Sequence, residues 1–294
     1  MSAESLTKKM GGKWYGDYGL VRCPAHDDRT ASLSLRDGHS TVLFHCFAGC
    51  SNDEVLAAMK RARHYAPQST TRAAPQPKKD LGELARKIWA GLPSVGNHTL
   101  AARYLASRKI LIRSPALRYD PRAKYKEGKS YFEAPALIAA YHKADNSLVS
   151  IQRCLLDSEG QQITEHDPKR FLGLRSGALC RLFPLRGSVL PLAEGVEEAL
   201  SVHRLRGLPC WSVGGIENYA AIEIPDHVEK IIVFTQHGDE ARRALKRGRP
   251  NLTANDRALE VEHPDPMMDW NDMLMADDRF DHQPVNAAPR SCPQ

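Results

Sequence analysis

The sequence predicts a mixed α/β chain, α+β overall: a small zinc-ribbon domain, a linker, and a larger domain in which strands run into helices. Three observations point there. Two closely spaced pairs of metal-ligand residues stand near the N-terminus, at Cys23/His26 and Cys46/Cys50. A stretch rich in Pro, Gln, Ser and Thr follows at residues 65–80. Beyond it, apolar segments at Val189–Ala193 and Lys230–Phe234 lead directly into helical patterns.

The first unit, residues 1–64, is organised by its donors. Cys23-Pro-Ala-His26 and Cys46-Phe-Ala-Gly-Cys50 supply three thiolates and an imidazole, which satisfies tetrahedral zinc with no open position. His39 and His45 are alternative donors, but neither shares the paired spacing. Pro24 stiffens the first turn and Gly49 frees the second. Between the pairs, Ser32–Leu35 and Thr41–His45 read as a hairpin turning at Asp37-Gly38. Ser51 and Glu54 form a capping-box pattern for a helix to about Arg63. Trp14, Tyr15, Tyr18, Phe44 and Phe47 surround the site, interleaved with Arg22, Arg29 and Arg36. Aromatics among arginines can stack and hold single-stranded bases. Core packing accounts for Phe44 and Phe47, which leaves Trp14 and Tyr15, with Arg22, as the expected exposed group.

Residues 65–80 read as a mobile linker. Helices are then expected at Leu81–Gly91, with Leu84, Ile88 and Trp89 inward, and at Thr99–Arg108. Strands follow at 136–141, 148–156 and 170–174, with turns at Asp145-Asn146 and Asp157–Gly160. The chain carries a net charge of +6, unevenly divided. Residues 81–186 hold 18 Lys/Arg against 9 Asp/Glu, and residues 187–294 hold 11 against 18. Such a division suits a polyanion on one surface and cations at another, as well as plain solvation charge. Arg122, Lys124, Lys126, Arg153 and Arg170 are the candidate phosphate contacts. The N-terminus lacks an apolar signal region and no apolar run approaches membrane length, so a cytoplasmic protein with no membrane contact is expected.

In residues 187–276, Val189–Ala193 ends at Glu194-Gly195 and a helix begins with Val196 and Leu200 on one face. A carboxylate at the C-terminal mouth of a strand is where open α/β sheets place ligand chemistry. The pattern also fits an ordinary strand–turn–helix with Glu197, Glu198 and Arg204 turned outward. Pro209–Val213 is a further strand, and Lys230–Phe234 reads as a central parallel strand buried on both faces. It ends at Thr235-Gln-His-Gly-Asp239. From about Asp277 a disordered tail is expected, over 277–294.

Cys23-Pro-Ala-His-Asp-Asp-Arg-Thr-Ala-Ser-Leu-Ser-Leu35 with His45-Cys-Phe-Ala-Gly-Cys50 resembles the CHC2 zinc-binding domain of phage- and plasmid-type DNA primases. Residues 81–186 resemble the basic part of the primase core. Leu192-Ala-Glu-Gly-Val-Glu-Glu-Ala-Leu200 resembles the first motif of the Toprim domain, and Met268-Asp-Trp-Asn-Asp272 resembles its closing segment. The resemblance implies primer synthesis from ribonucleoside triphosphates on a single-stranded DNA template. Glu194 and Asp239 would then be catalytic, beside Mg²⁺ or Mn²⁺ held by Glu194, His237, Asp239 and Asp269. A replicative helicase or single-strand-binding protein would be a partner. The family's Asp-x-Asp pair becomes His237-Gly238-Asp239 here. Histidine suits manganese better than magnesium, which prefers hard oxygen donors. The alternative implied by that change is a catalytically decayed Toprim protein that binds single-stranded DNA. A helix cap is the other use for Asp269.

Overall fold

The computed structural model describes residues 2–38, 41–62, 81–127, 130–164 and 167–280. It divides into two compact units, the first within residues 1–78 and the second within 79–294. The expected linker, residues 65–80, lies outside the described residues, as does His39.

The first unit opens with a helix the sequence reading did not anticipate, α1 (Ala3–Lys9), capped by Ser2. Asp37 accepts a hydrogen bond from the Ala3 N–H at 2.7 Å, and Ala3 and Leu6 are fully buried. An antiparallel sheet follows in the order β1 (Lys13–Trp14), β2 (Gly19–Val21), β3 (Leu33–Asp37) and β4 (Val42–Cys46). The expected hairpin is present, Gly38 N–H donating to Thr41 O at its turn. Helix α2 (Asn52–Arg61) begins with the Ser51–Glu54 capping box. Leu33, Leu35, Val55 and Met59 close the core.

In the second unit, α3 (Leu81–Gly91) and α4 (Leu100–Ser107) precede an antiparallel meander. Its strands are β5 (Leu117–Glu127), β6 (Ser130–His142), β7 (Leu148–Leu155) and β8 (Lys169–Gly173). Strand β5 went unread because Pro121 and its charges mask the pattern; a register shift between Asp120 and Ala123 absorbs them. Ala85, Ile88 and Trp89 of α3 pack on one face of this sheet, but Leu84 is 42% exposed, contrary to expectation.

A second, wholly parallel sheet has the order β10-β9-β11-β12. Its members are β9 (Val189–Ala193), β10 (Trp211–Ser212), β11 (Lys230–Phe234) and β12 (Ala258–Glu262). Helices α5 (Val196–Arg206), α6 (Asp239–Leu252) and α7 (Trp270–Ala276) accompany it. Strand β11 is buried on both faces, as expected. Ile232 and Phe234 join a core with Trp270, Leu200 and Tyr141, whereas Ile231 and Val233 join one with Tyr219 and Leu252. Strand β12 was missed, although Ala258-Leu-Glu-Val-Glu262 alternates with period two. Within the expected tail, Asp278–Phe280 instead forms a 3-10 turn, with Phe280 packed on the core and Arg204 over its ring. Residues 281–294 lie outside the described residues.

Asn218 ties the two sheets together from a 3-10 turn, Ile216–Ala220. It is 4% exposed; its amide donates to Ala178 O at 2.9 Å and Val213 O at 2.8 Å and accepts from Gly177 N–H at 2.9 Å. Truncation strands these backbone groups away from water. Asn218→Ala should lower unfolding free energy by about 3 kcal/mol, read from urea midpoints at unchanged m.

Candidate functional site

The first unit gathers Cys23, His26, Cys46 and Cys50, with all four donor atoms within 4.8 Å of one another. A tetrahedron with metal–sulfur arms of about 2.3 Å has edges of roughly 3.8 Å, so the group fits zinc. His26 turns Nδ1 toward the sulfurs, 3.2 Å from Cys50 Sγ, and its Nε2 lies 3.5 Å from Ser32 Oγ. Asp28 builds the loop that carries them. Its carboxylate accepts from Cys23 N–H at 2.6 Å, Ser32 Oγ at 2.6 Å and Thr30 N–H at 3.1 Å. The N–H of Cys23 and the hydroxyl of Ser32 hold that carboxyl down at about 2. The sequence reading passed over Asp28, although Asp-x-Thr-x-Ser is a turn-forming pattern. Burial pushes the Cys23 thiol up to about 12, with Cys46 and Cys50 adding to it. Three crowded thiols ionise together only when a cation offsets their charge.

Around this group the aromatics sort differently from expectation. Trp14 packs against the core, and Phe47, expected inside, is 66% exposed. Tyr15 is 47% exposed and stacks on Tyr18 at 5.1 Å, with Lys13 over one ring and Arg36 over the other. Tyr15 and Arg22 also line a cleft of ≈ 490 Å³ beside Gly12 and Lys13.

In the second unit, Glu194 stands at the C-terminal end of β9, half-buried. Its carbonyl accepts from the N–H groups of Gly214 at 3.0 Å and Gly215 at 3.2 Å and from Ser212 Oγ at 3.0 Å, fixing the backbone there. Gly214 has φ +73°, and a Cβ on it would meet Tyr141 Cε1 at 2.7 Å, so this turn requires glycine. Burial raises the pKa of the Glu194 carboxyl, with Glu240 adding to the shift; Lys169 and Arg175 oppose it. Lys169 opens β8 of the antiparallel sheet, and Arg175 lies just past that strand's end. Lys169 pairs with Glu197 at 3.0 Å, and Arg175 donates to Gly214 O at 2.5 Å.

Glu198, expected on the outer face of its helix, is only 9% exposed. Gln236 Nε2 donates to its Oε1 at 2.5 Å and Gly195 N–H to its Oε2 at 3.4 Å. Burial pushes this carboxyl up to about 7, with Glu194 and Asp269 adding to it against the Gln236 bond. The buried carboxylate was missed because nothing in the sequence marks α5 as covered on nearly every side.

The remaining expected ligands are placed as follows. His237 is exposed, its Nε2 2.9 Å from Pro264 O and its ring stacked on His263 at 4.8 Å. Asp239 opens α6 and pairs with Arg242 at 2.9 Å. Asp269 caps α7, accepting from Asp272 N–H at 2.7 Å. Glu194 raises the pKa of Glu198, yet among the described residues only the Cys₃His group brings three or more such donors together. The acidic residues as folded therefore do not present a ready divalent-ion cage. Of the basic residues, Arg122 is exposed, Arg153 donates to Lys124 O at 2.5 Å and Arg170 to Lys126 O at 3.1 Å. Lys124 pairs with Glu133 at 3.6 Å. No helix among the described residues is long and apolar enough to cross a membrane.

Two outcomes are expected. Purified protein should carry one zinc per chain, and Cys46→Ser should abolish it and the ordered state of the first unit, read by metal analysis and backbone amide NMR. Glu198 has a folded pKa above its unfolded value, so its protonation favours the folded state below about pH 4.5, and that contribution is lost as pH rises to about 7. Glu198→Gln should therefore stabilise the protein by on the order of 2 kcal/mol above pH 7 and change little near pH 4.5, measured by urea unfolding across pH.

Residues 79–182 match a domain family of unknown function, DUF7146, and residues 189–279 match the Toprim domain. No curated protein matches the chain. Among solved structures, the chain is similar to the zinc-binding and RNA polymerase domains of the Aquifex aeolicus primase. Identity there is 13% and the TM-score 0.48, covering 92% of this chain and 79% of that one. It is also similar to the primase fragment of the bacteriophage T7 primase-helicase, with 18% identity, TM-score 0.41, and 89% and 97% covered. A third is the RNA polymerase domain of Mycobacterium tuberculosis primase DnaG in complex with double-stranded DNA, at 14% identity, TM-score 0.41, and 66% and 74% covered. The antiparallel meander is thus the body of the DUF7146 match, the parallel sheet with Glu194 at its mouth lies within the Toprim match, and the Cys₃His group precedes both in the sequence.

Proposed function

We infer that the chain is a primase-type protein that makes short RNA primers on single-stranded DNA in the service of a phage or mobile element. The observation that carries the reading is Glu194. It is a partly desolvated carboxylate at the mouth of a parallel Toprim strand, flanked by Lys169 of the neighbouring sheet and Arg175 just past its last strand. A carboxyl whose pKa is raised by burial beside cations is a setting typical of functional acids and bases. Gly195 leaves open space next to it: a Cβ there would meet no atom within 4 Å. Lys169 and Arg175 would steady the triphosphate of an incoming ribonucleotide, and the Glu194 carboxylate would orient the attacking hydroxyl. A divalent ion supplies charge neutralisation in this class of chemistry. In the first unit, Tyr15, Tyr18 and Phe47 with Lys13, Arg22 and Arg36 would hold the template by stacking and charge.

A second reading has its own support. His237 stands where the Toprim family carries a carboxylate, and its ring is engaged with His263 and Pro264 rather than with Glu194. That arrangement favours an accessory protein that binds single-stranded DNA without polymerising.

Primer synthesis with labelled ribonucleotides, in Mg²⁺ and separately in Mn²⁺, separates the two. The polymerising reading expects product from the wild type and a loss of at least a hundredfold in Glu194→Gln. Product from His237→Asp alone would mean a site silenced at one residue. Silence from all three proteins, with DNA binding intact, would establish the accessory reading.

A further inference from the structure

The tip of the β5–β6 hairpin carries an aromatic and cationic surface that the reading above does not use. Lys126 lies directly opposite Tyr131, Tyr125 opposite Phe132, and Lys124 opposite Glu133. Side chains alternate between faces along a strand, so Lys124, Lys126 and Tyr131 share one face, and Tyr125 and Phe132 share the other. Tyr131 is 75% exposed, with the Lys126 ammonium 5.9 Å from its ring centre. Behind it, Tyr125 and Phe132 stack at 5.6 Å, and the Arg170 guanidinium lies 5.3 Å from the Tyr125 ring. The Tyr125–Phe132 stack thus lies on one side of the hairpin, and the largely exposed Tyr131 lies on the other beside Lys126.

Farther along β6 the same side of the sheet is buried. Strand β6 pairs in unbroken register with β7 from Ala136 to Tyr141, so Tyr131, Leu137 and Tyr141 lie on one side of the sheet. Leu137 and Tyr141 belong to the core that also holds Ala193 and Phe234 of the parallel sheet. Lys169 is on the same side, since Leu137 pairs with Cys154 and Cys154 with Lys169. Its ammonium reaches Glu197 and lowers the pKa of Glu194. One face of the sheet therefore offers cations and an exposed ring at its outer end and a cation beside the acidic mouth at its inner edge.

We propose that Tyr131, with Lys124 and Lys126, is a stacking platform for an unpaired base of a single-stranded polynucleotide. A flat exposed ring pairs with the π-face of any base, and the lysines match the phosphates on either side. A duplex buries its base faces and offers Tyr131 none. The proposal rests on the chain's handling of nucleic acid and is independent of polymerisation.

The test is photocrosslinking of the full chain to a single-stranded oligonucleotide carrying 5-iodouracil, without ribonucleotides, mapped by mass spectrometry. A crosslink at Tyr131 is expected, and Tyr131→Phe should keep it. Tyr131→Ala should weaken the quenching of 2-aminopurine in the same oligonucleotide roughly tenfold in affinity. Lys124→Ala and Lys126→Ala should each lower the salt dependence of binding by about one unit. Crosslinks confined to the first unit, equal crosslinking of duplex DNA, or an unchanged Tyr131→Ala would each overturn the proposal and leave the tip as a protein contact. Absence of primer synthesis in the wild type would overturn the polymerase reading and leave this one standing.

Discussion

The parallel pairing of β9 with β11 is the constraint on which the rest of the second unit depends. Their register runs from Lys230 opposite Val189 to Phe234 opposite Ala193, so both strands end at the same level. Parallel neighbours need long crossovers, and those crossovers bury β11 on both faces. With no freedom to slip, the first residues past the two strand ends become fixed points. Glu194 is one. Its carbonyl binds the turn after β10, so the carboxylate is presented from a backbone held by three hydrogen bonds.

The acidic mouth acquires its electrostatics from chain outside the Toprim domain. Lys169 and Arg175 belong to the antiparallel sheet and its trailing turn, and both act against the pKa-raising effect of burial at Glu194. Glu197 anchors this arrangement: it pairs with Lys169, and Gln162 reaches it as well as Tyr104 Oη at 2.6 Å. The DUF7146 region is in this sense the counter-charge of the Toprim region. The division of charge visible along the sequence becomes a juxtaposition across an interior.

The departure at His237 acquires a local meaning from the fold. Glu198 is bonded by Gln236, the residue before the histidine. The imidazole turns to the Pro264 carbonyl and the His263 ring, partners that suit its donor and its flat face. The segment that closes the domain, with Asp269 capping α7, spends its carboxylates on backbone N–H groups.

The sequence by itself determined whatever depends on local spacing. The Cys₃His group, the Ser51–Glu54 cap, the hairpin at Gly38 and the strand mouth at Glu194 were legible because neighbours a few residues apart dictate them. The tertiary structure alone decided what depends on who covers whom. Glu198 is buried because α5 lies between a sheet and α7, Phe47 stays largely exposed with its ring edge-on to His45, and Trp14 turns inward because α1, unread in the sequence, builds the core it joins. Tyr131 belongs with these. Its exposure and its alignment with Lys169 follow from strand register, which is a relation among distant segments and is written in none of them singly.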